Sequence, residues 1–118
     1  MKTHKDLDVW RNSIDMVTDI YNCTKDFPKE ELYGIVNQLR RASISVPSNI
    51  AEGAGRHSQK EFVQFLYIAL GSMAEVETQL IISLNLKFID ASIFETLNNK
   101  LIIIRSQLFG LIKHLQNK

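Results

Sequence analysis

The sequence has a single cysteine, Cys23, so no intrachain disulfide and no cysteine-rich zinc site can form, which favours a reducing compartment. It has no apolar run at its start to serve as a signal-peptide core and no stretch of about 18 uninterrupted apolar residues, so no membrane span is expected and the cytoplasm is the expected location. An excess of charge is missing too. Fourteen Lys and Arg face 13 Asp and Glu, a net +1, which rules out a polycation that binds nucleic acid by bulk electrostatics. No segment alternates apolar and polar residues between turn glycines, so strands are not supported.

The residues of common active sites are also missing. His4, His57 and His114 lie far apart and no pair has metal-ligand spacing. The Glu-x-x-His pairs of di-iron helical bundles are absent. Gly53-Ala54-Gly55 follows no strand and reads as a helix stop rather than a phosphate cradle. Ser45 and Ser48 have no base placed to activate them. The expectation is a non-enzymatic protein without cofactor, metal or small-molecule substrate.

What is present is four stretches of helical periodicity. Leu7, Trp10, Ile14, Val17 and Tyr21 recur at three and four, and Pro28 ends that pattern, giving a helix at about 7–26 capped by Asp6 or Asp8. Leu32, Ile35, Leu39, Ala42, Val46, Asn49 and Gly53 make a second at about 30–55. Ser58-Gln59-Lys60-Glu61 is a capping box. It opens a third at about 58–87 with Phe62, Leu66, Ala69, Met73, Val76, Leu80 and Leu84 on one side. Ile93, Leu97, Leu101, Ile104, Leu108, Leu111 and Leu115 make the fourth, at about 91–116, with Ser92 and Glu95 as a second capping box. Short links between such helices imply one all-α domain, an up-down antiparallel four-helix bundle. Ile102, Ile103, Phe109 and Ile112 lie off the fourth stripe, and Ala69, Gly71, Ser72 and Ala74 make the middle of the third helix small. Both point to a homo-oligomer.

The second helix breaks its own rules. Pro47 removes the bond to the Ser43 carbonyl and predicts a kink or opened turn at 43–47, while Gly53 and Gly55 suit a left-handed helix end. Residues 38–60 carry Arg40, Arg41, Arg56 and Lys60 against Glu52, a local +3. With a turn at 55–58, positions summing to about 114 lie opposite each other in an antiparallel hairpin, which sets Glu75 against Arg40 or Arg41. Two readings follow. In one, Gln38, Arg41, Asn49, Glu52 and Glu75 form a polar seam that fixes register, with an Arg–Glu75 ion pair across it. In the other, Arg40, Arg41, Arg56, His57 and Lys60 face outward and bind the phosphates of RNA or DNA. A protein-binding or self-assembling scaffold with no nucleic-acid role is the alternative.

Leu7-Asp8-Val9-Trp10, Phe27-Pro28, Glu31-Leu32-Tyr33-Gly34, Gln38-Leu39-Arg40-Arg41-Ala42-Ser43, Asn49-Ile50-Ala51-Glu52-Gly53-Ala54-Gly55-Arg56, Glu61-Phe62, Phe65-Leu66 and Gly71-Ser72 with Glu75 together resemble the bacterial four-helix-bundle proteins of the 23S rRNA intervening-sequence family, over residues 6 to about 80. The resemblance implies an up-down bundle with no catalytic residues. Relatives that include the accessory variability protein of diversity-generating retroelements imply a ring-shaped homopentamer with a basic surface for nucleic acid.

Overall fold

The structure, a computed structural model, describes residues 3–117. Four long helices run Asp8–Thr24 (α1), Asn37–Ala54 (α2), Gln59–Asn85 (α3) and Ala91–Gln116 (α4), and no strand forms among the described residues. Each packs on its neighbours around a square, α1 on α2, α2 on α3, α3 on α4 and α4 back on α1. Cross-helix pairs show that neighbours are antiparallel: Asn12 with Gln107 and Asp19 with Lys100 on α1–α4, Ser45 with Ser72 on α2–α3. The rod measures 46 × 24 × 20 Å, and its long dimension is close to the roughly 40 Å that the 27 residues of α3 span.

Leu39, Val46, Ile50, Leu66, Ala69, Val76, Leu80 and Leu108 are fully buried along the axis. Fully burying a side chain of valine or leucine size contributes about 1.5–3 kcal/mol. The α3 stripe is observed almost as spaced in the sequence, and α4 differs mainly in that Ile112 joins the core while Ile93 is 40% exposed. The line of α1 is rotated. Its buried residues are Val9, Ser13, Met16, Ile20 and Thr24, whereas Ile14 is exposed and Trp10, Val17 and Tyr21 are only half-buried. Ser13 and Thr24 enter the core because their hydroxyls donate to backbone carbonyls one turn back, Trp10 and Ile20 respectively, which removes most of the cost of burying them. That frees an apolar flank of α1 to face outward.

Helix ends correct several expectations. The first residue before α1 is Leu7, without a side-chain cap; Asp8 pairs instead with Arg11, and Asp6 shares a capping box with Thr3 over a short turn at His4–Asp6. Ser58 caps α3 by accepting from the Glu61 N–H at 3.1 Å, while the Glu61 carboxylate meets the Ser58 hydroxyl. Asp90, not Ser92, caps α4, accepting from the Ile93 N–H at 2.8 Å. α2 is continuous through the buried Pro47, and the break falls earlier. A tight 3-10 turn at Lys29–Glu31 and a wide π turn at Leu32–Val36 precede it, with Gly34 non-helical at φ −108, ψ −116. Pro47 forfeits one helical bond but is buried within α2, whereas glycine has no side chain to hold a helical turn.

Neither Gly53 nor Gly55 is left-handed; among the described residues the positive φ belongs to Lys87, at 64°. Lys87 donates to the Leu84 carbonyl and Phe88 to the Ser83 carbonyl, the pair of bonds that defines a Schellman end with Lys87 in the left-handed position. Phe88 then packs on Phe27, ring centres 5.3 Å apart. Gly53 serves a different purpose. A Cβ there would stand 2.8 Å from Phe65 Cβ and 2.9 Å from Phe62 Cδ1, so α2 and α3 meet at backbone distance where the Asn49–Gly53 segment ends.

Candidate functional site

The polar strip of α2 is held by hydroxyls and amides rather than by charges. Ser72 Oγ and Ser45 Oγ are 2.8 Å apart across the α2–α3 seam, and Asn49 Nδ2 donates to Ser45 Oγ and to the Ser45 carbonyl. Gln79 Nε2 reaches Gln38 Oε1 at a long 3.5 Å, leaving the buried Gln79 Oε1 without a partner. In both cross-helix pairs the positions sum to 117, almost a turn from the expected register. Glu52 turns along its own helix to Arg56, at 2.7 Å.

The expected Arg–Glu75 ion pair does not form: among the described residues neither Arg40 nor Arg41 has a carboxylate within salt-bridge distance, and Arg41 and Glu75 are both exposed. The α2 side chains that bond across to α3 are Gln38 and Ser45, and Arg41 lies just outside that arc, where an ion pair in water gains little. The α3–α4 seam carries an inter-helix ion pair instead, Arg105 with Glu77 at 3.6 Å.

Among the four cations and one histidine proposed to contact phosphate, Arg40 faces the bundle. Its Nε donates to Thr24 Oγ1 at 3.0 Å and its guanidinium lies 4.5 Å above the Tyr21 ring, at the C-terminal end of α1 where a cation is favoured by the helix dipole. Arg56 shares its charge with Glu52 and stacks 4.8 Å from the Phe65 ring. Arg41, His57 and Lys60 are exposed and have no ion-pair partner among the described residues. Arg41 stands thirteen residues before the end of α2 at Ala54, roughly 20 Å at the helical rise, and Arg56 lies beyond that end. The α2–α3 turn therefore groups Arg56, His57 and Lys60, and Arg41 stands apart from them.

Three features were missed or only half-read. Lys60 borders a groove of about 430 Å³ between the first turns of α3 and the last turn of α4, lined by Gln59, Val63, Gln64, Tyr67, Leu115 and Gln116; the capping box placed its start, but only the α3–α4 register reveals its far wall. A second groove, about 290 Å³, runs along the α1–α2 face between Trp10, Ile14 and Val17 and Ile44, Pro47 and Ala51. The third is an apolar strip on the opposite side. The Glu77–Arg105 pair sets Ala74 across from Phe109 and Ile81 across from Ile102 on the outer side of α3 and α4, where Ile81 is 43%, Ile102 48% and Phe109 51% exposed. Helix α3 is, by length and composition alone, apolar enough to cross a membrane, and Ile81 is one of the large apolar side chains it leaves exposed, with Tyr67, Ile68 and Ile82.

Among the described residues no three His, Cys, Asp or Glu side chains come together as a metal site would require. Cys23 is half-buried, and burial first, then the Asp19 carboxylate, pushes its thiol up to about 11, which keeps it protonated at neutral pH.

No curated protein matches the chain. Among solved structures it is similar to a protein of unknown function from the S23 ribosomal protein family of Bacteroides thetaiotaomicron VPI-5482, at 25% identity and a TM-score of 0.80, covering 89% of this chain and 98% of that one. The family model described as 23S rRNA-intervening sequence protein matches residues 5–110, extending through most of α4. The chain belongs to the 23S rRNA-intervening sequence protein family.

Proposed function

We propose that this protein is a non-enzymatic scaffold that assembles with copies of itself. The observation that carries the reading is the exposed apolar residues Ala74 and Phe109 on one side, and Ile81 and Ile102 on the other, of the Glu77–Arg105 ion pair on the outside of α3 and α4. Single exposed apolar residues are ordinary, but a row of them across two adjacent helices is the mark of an interaction surface. The apolar α1–α2 groove lies on the opposite side of the square. Two different apolar faces, back to back, suit a head-to-tail contact in which the strip of one copy seats in the groove of the next, and such contacts close into rings when the rotation allows. The ring of five implied by family resemblance is the form proposed. The variant Ile102→Glu with Phe109→Glu tests it by light scattering: the wild-type mass should drop to that of a single chain, and an unchanged mass would rule out this face.

A second reading, contact with RNA or DNA, is favoured by the grouping of Arg56, His57 and Lys60 at the exposed α2–α3 turn. The family is named for an intervening sequence of 23S rRNA, and the similar structure is of a protein from the S23 ribosomal protein family. Assembly would repeat that turn around one particle, so contacts that are weak singly would act together. Retardation of structured RNA and single-stranded DNA at low and moderate salt tests it; no retardation at low salt counts against it.

A further inference from the structure

We infer that the groove between the start of α3 and the end of α4 holds an unpaired base of a single-stranded nucleic acid, an assignment that rests on the nucleic-acid reading and gives it a site. Its floor is apolar, from the partly buried Val63 and the buried Leu115. Tyr67 stands at its wall and is 51% exposed, so its ring has a face left over for another aromatic ring. Three side-chain amides, Gln59, Gln64 and Gln116, and the ammonium of Lys60 complete the lining. None of the lining residues is acidic, although the chain as a whole carries 13 Asp and Glu. At about 430 Å³ the groove falls in the size range of small-ligand sites.

Each component has a counterpart in a nucleotide. Every base offers a π-face that stacks on tyrosine whatever its sequence, and carboxamides donate and accept along base edges. Lys60, the one charged residue of the lining, supplies positive charge at the rim for a flanking phosphate. A duplex keeps its bases stacked inside and offers none of them to Tyr67, so the groove selects single strands.

The test is fluorescence anisotropy of a labelled single strand of about ten nucleotides, the same sequence as a duplex, and a mononucleotide competitor. Single strands should bind in preference to duplex. Tyr67→Leu should weaken binding about tenfold or more, with Tyr67→Phe close to wild type because stacking survives. Lys60→Gln should lower affinity and make the salt slope shallower by about one. Gln116→Glu, at an exposed helix end where the fold is not at risk, should also weaken binding by placing an acid in the groove. If the wild type binds single strands and neither Tyr67→Leu nor Gln116→Glu changes the affinity, the groove is wrong and the wider nucleic-acid reading survives. Binding of nothing at low salt overturns both. Equal affinity for duplex, or a mononucleotide as tight as the strand, overturns the single-strand assignment alone.

Discussion

Gly53 and Gly110 lie in helices, and helix propensity alone says that alanine would improve both by about 0.5–1 kcal/mol. Their surroundings give opposite signs. A Cβ at Gly110 meets nothing within 4 Å, whereas one at Gly53 collides with Phe65, Phe62 and a backbone carbonyl. Urea melts should show Gly110→Ala stabilised by that amount and Gly53→Ala destabilised by about 1–3 kcal/mol, the range for overpacking a tight contact. A second contrast is between neighbouring arginines. Arg40→Ala removes a hydrogen bond to Thr24 and a stacked ring and should cost about 1–2 kcal/mol; Arg41→Ala, on an exposed side chain, should stay within about 0.5 kcal/mol. Cys23 gives a pH readout. With the thiol raised from 9.0 to about 11, the folded protein holds about a hundredfold less thiolate than an ordinary cysteine at pH 8, so iodoacetamide should react that much more slowly than in urea. Because the raised value belongs to the folded state, the associated stability is whole below pH 9 and is lost as pH rises through about 11. Equal alkylation rates in folded and unfolded protein would contradict the burial.

At the scale of elements, α3 was legible because Ser58 and Glu61 signal its start and its apolar residues keep one face throughout. α1 was legible as a helix but not in its rotation, since Val9, Met16 and Ile20 compete with Trp10, Ile14 and Val17 for the core and only the neighbouring helices decide between them. Pro47 reads as a break in isolation, yet α2 continues through it with the residue buried, while the break at Gly34 has a weaker local signal. Lys87 carries none at all, because lysine has no preference for the left-handed region it occupies at φ 64. Lys87→Gly should therefore raise stability by about 1 kcal/mol in thermal or urea unfolding, and a loss would show that the lysine side chain has an unsuspected role there.

For the molecule as a whole, the bundle and its family were readable from periodicity and motif, while the candidate surfaces were readable only in part, as Ile102 and Phe109 off the α4 stripe without the α3 residues they stand beside. Arg40 and Arg41 are adjacent in sequence, but one faces α1 and the other water, a difference set by about 100° of helical rotation. The nucleotide groove joins residues at 59–67 to residues at 115–116, and the apolar strip joins Ile81 to Ile102; neither pairing exists until α3 and α4 are set in register. The central claim is that these outward apolar residues are covered by another copy of the chain. Light scattering of the wild-type protein across a range of concentrations measures this directly. The account predicts a mass several times the 13.5 kDa of one chain, and a mass of one chain at every concentration would contradict it.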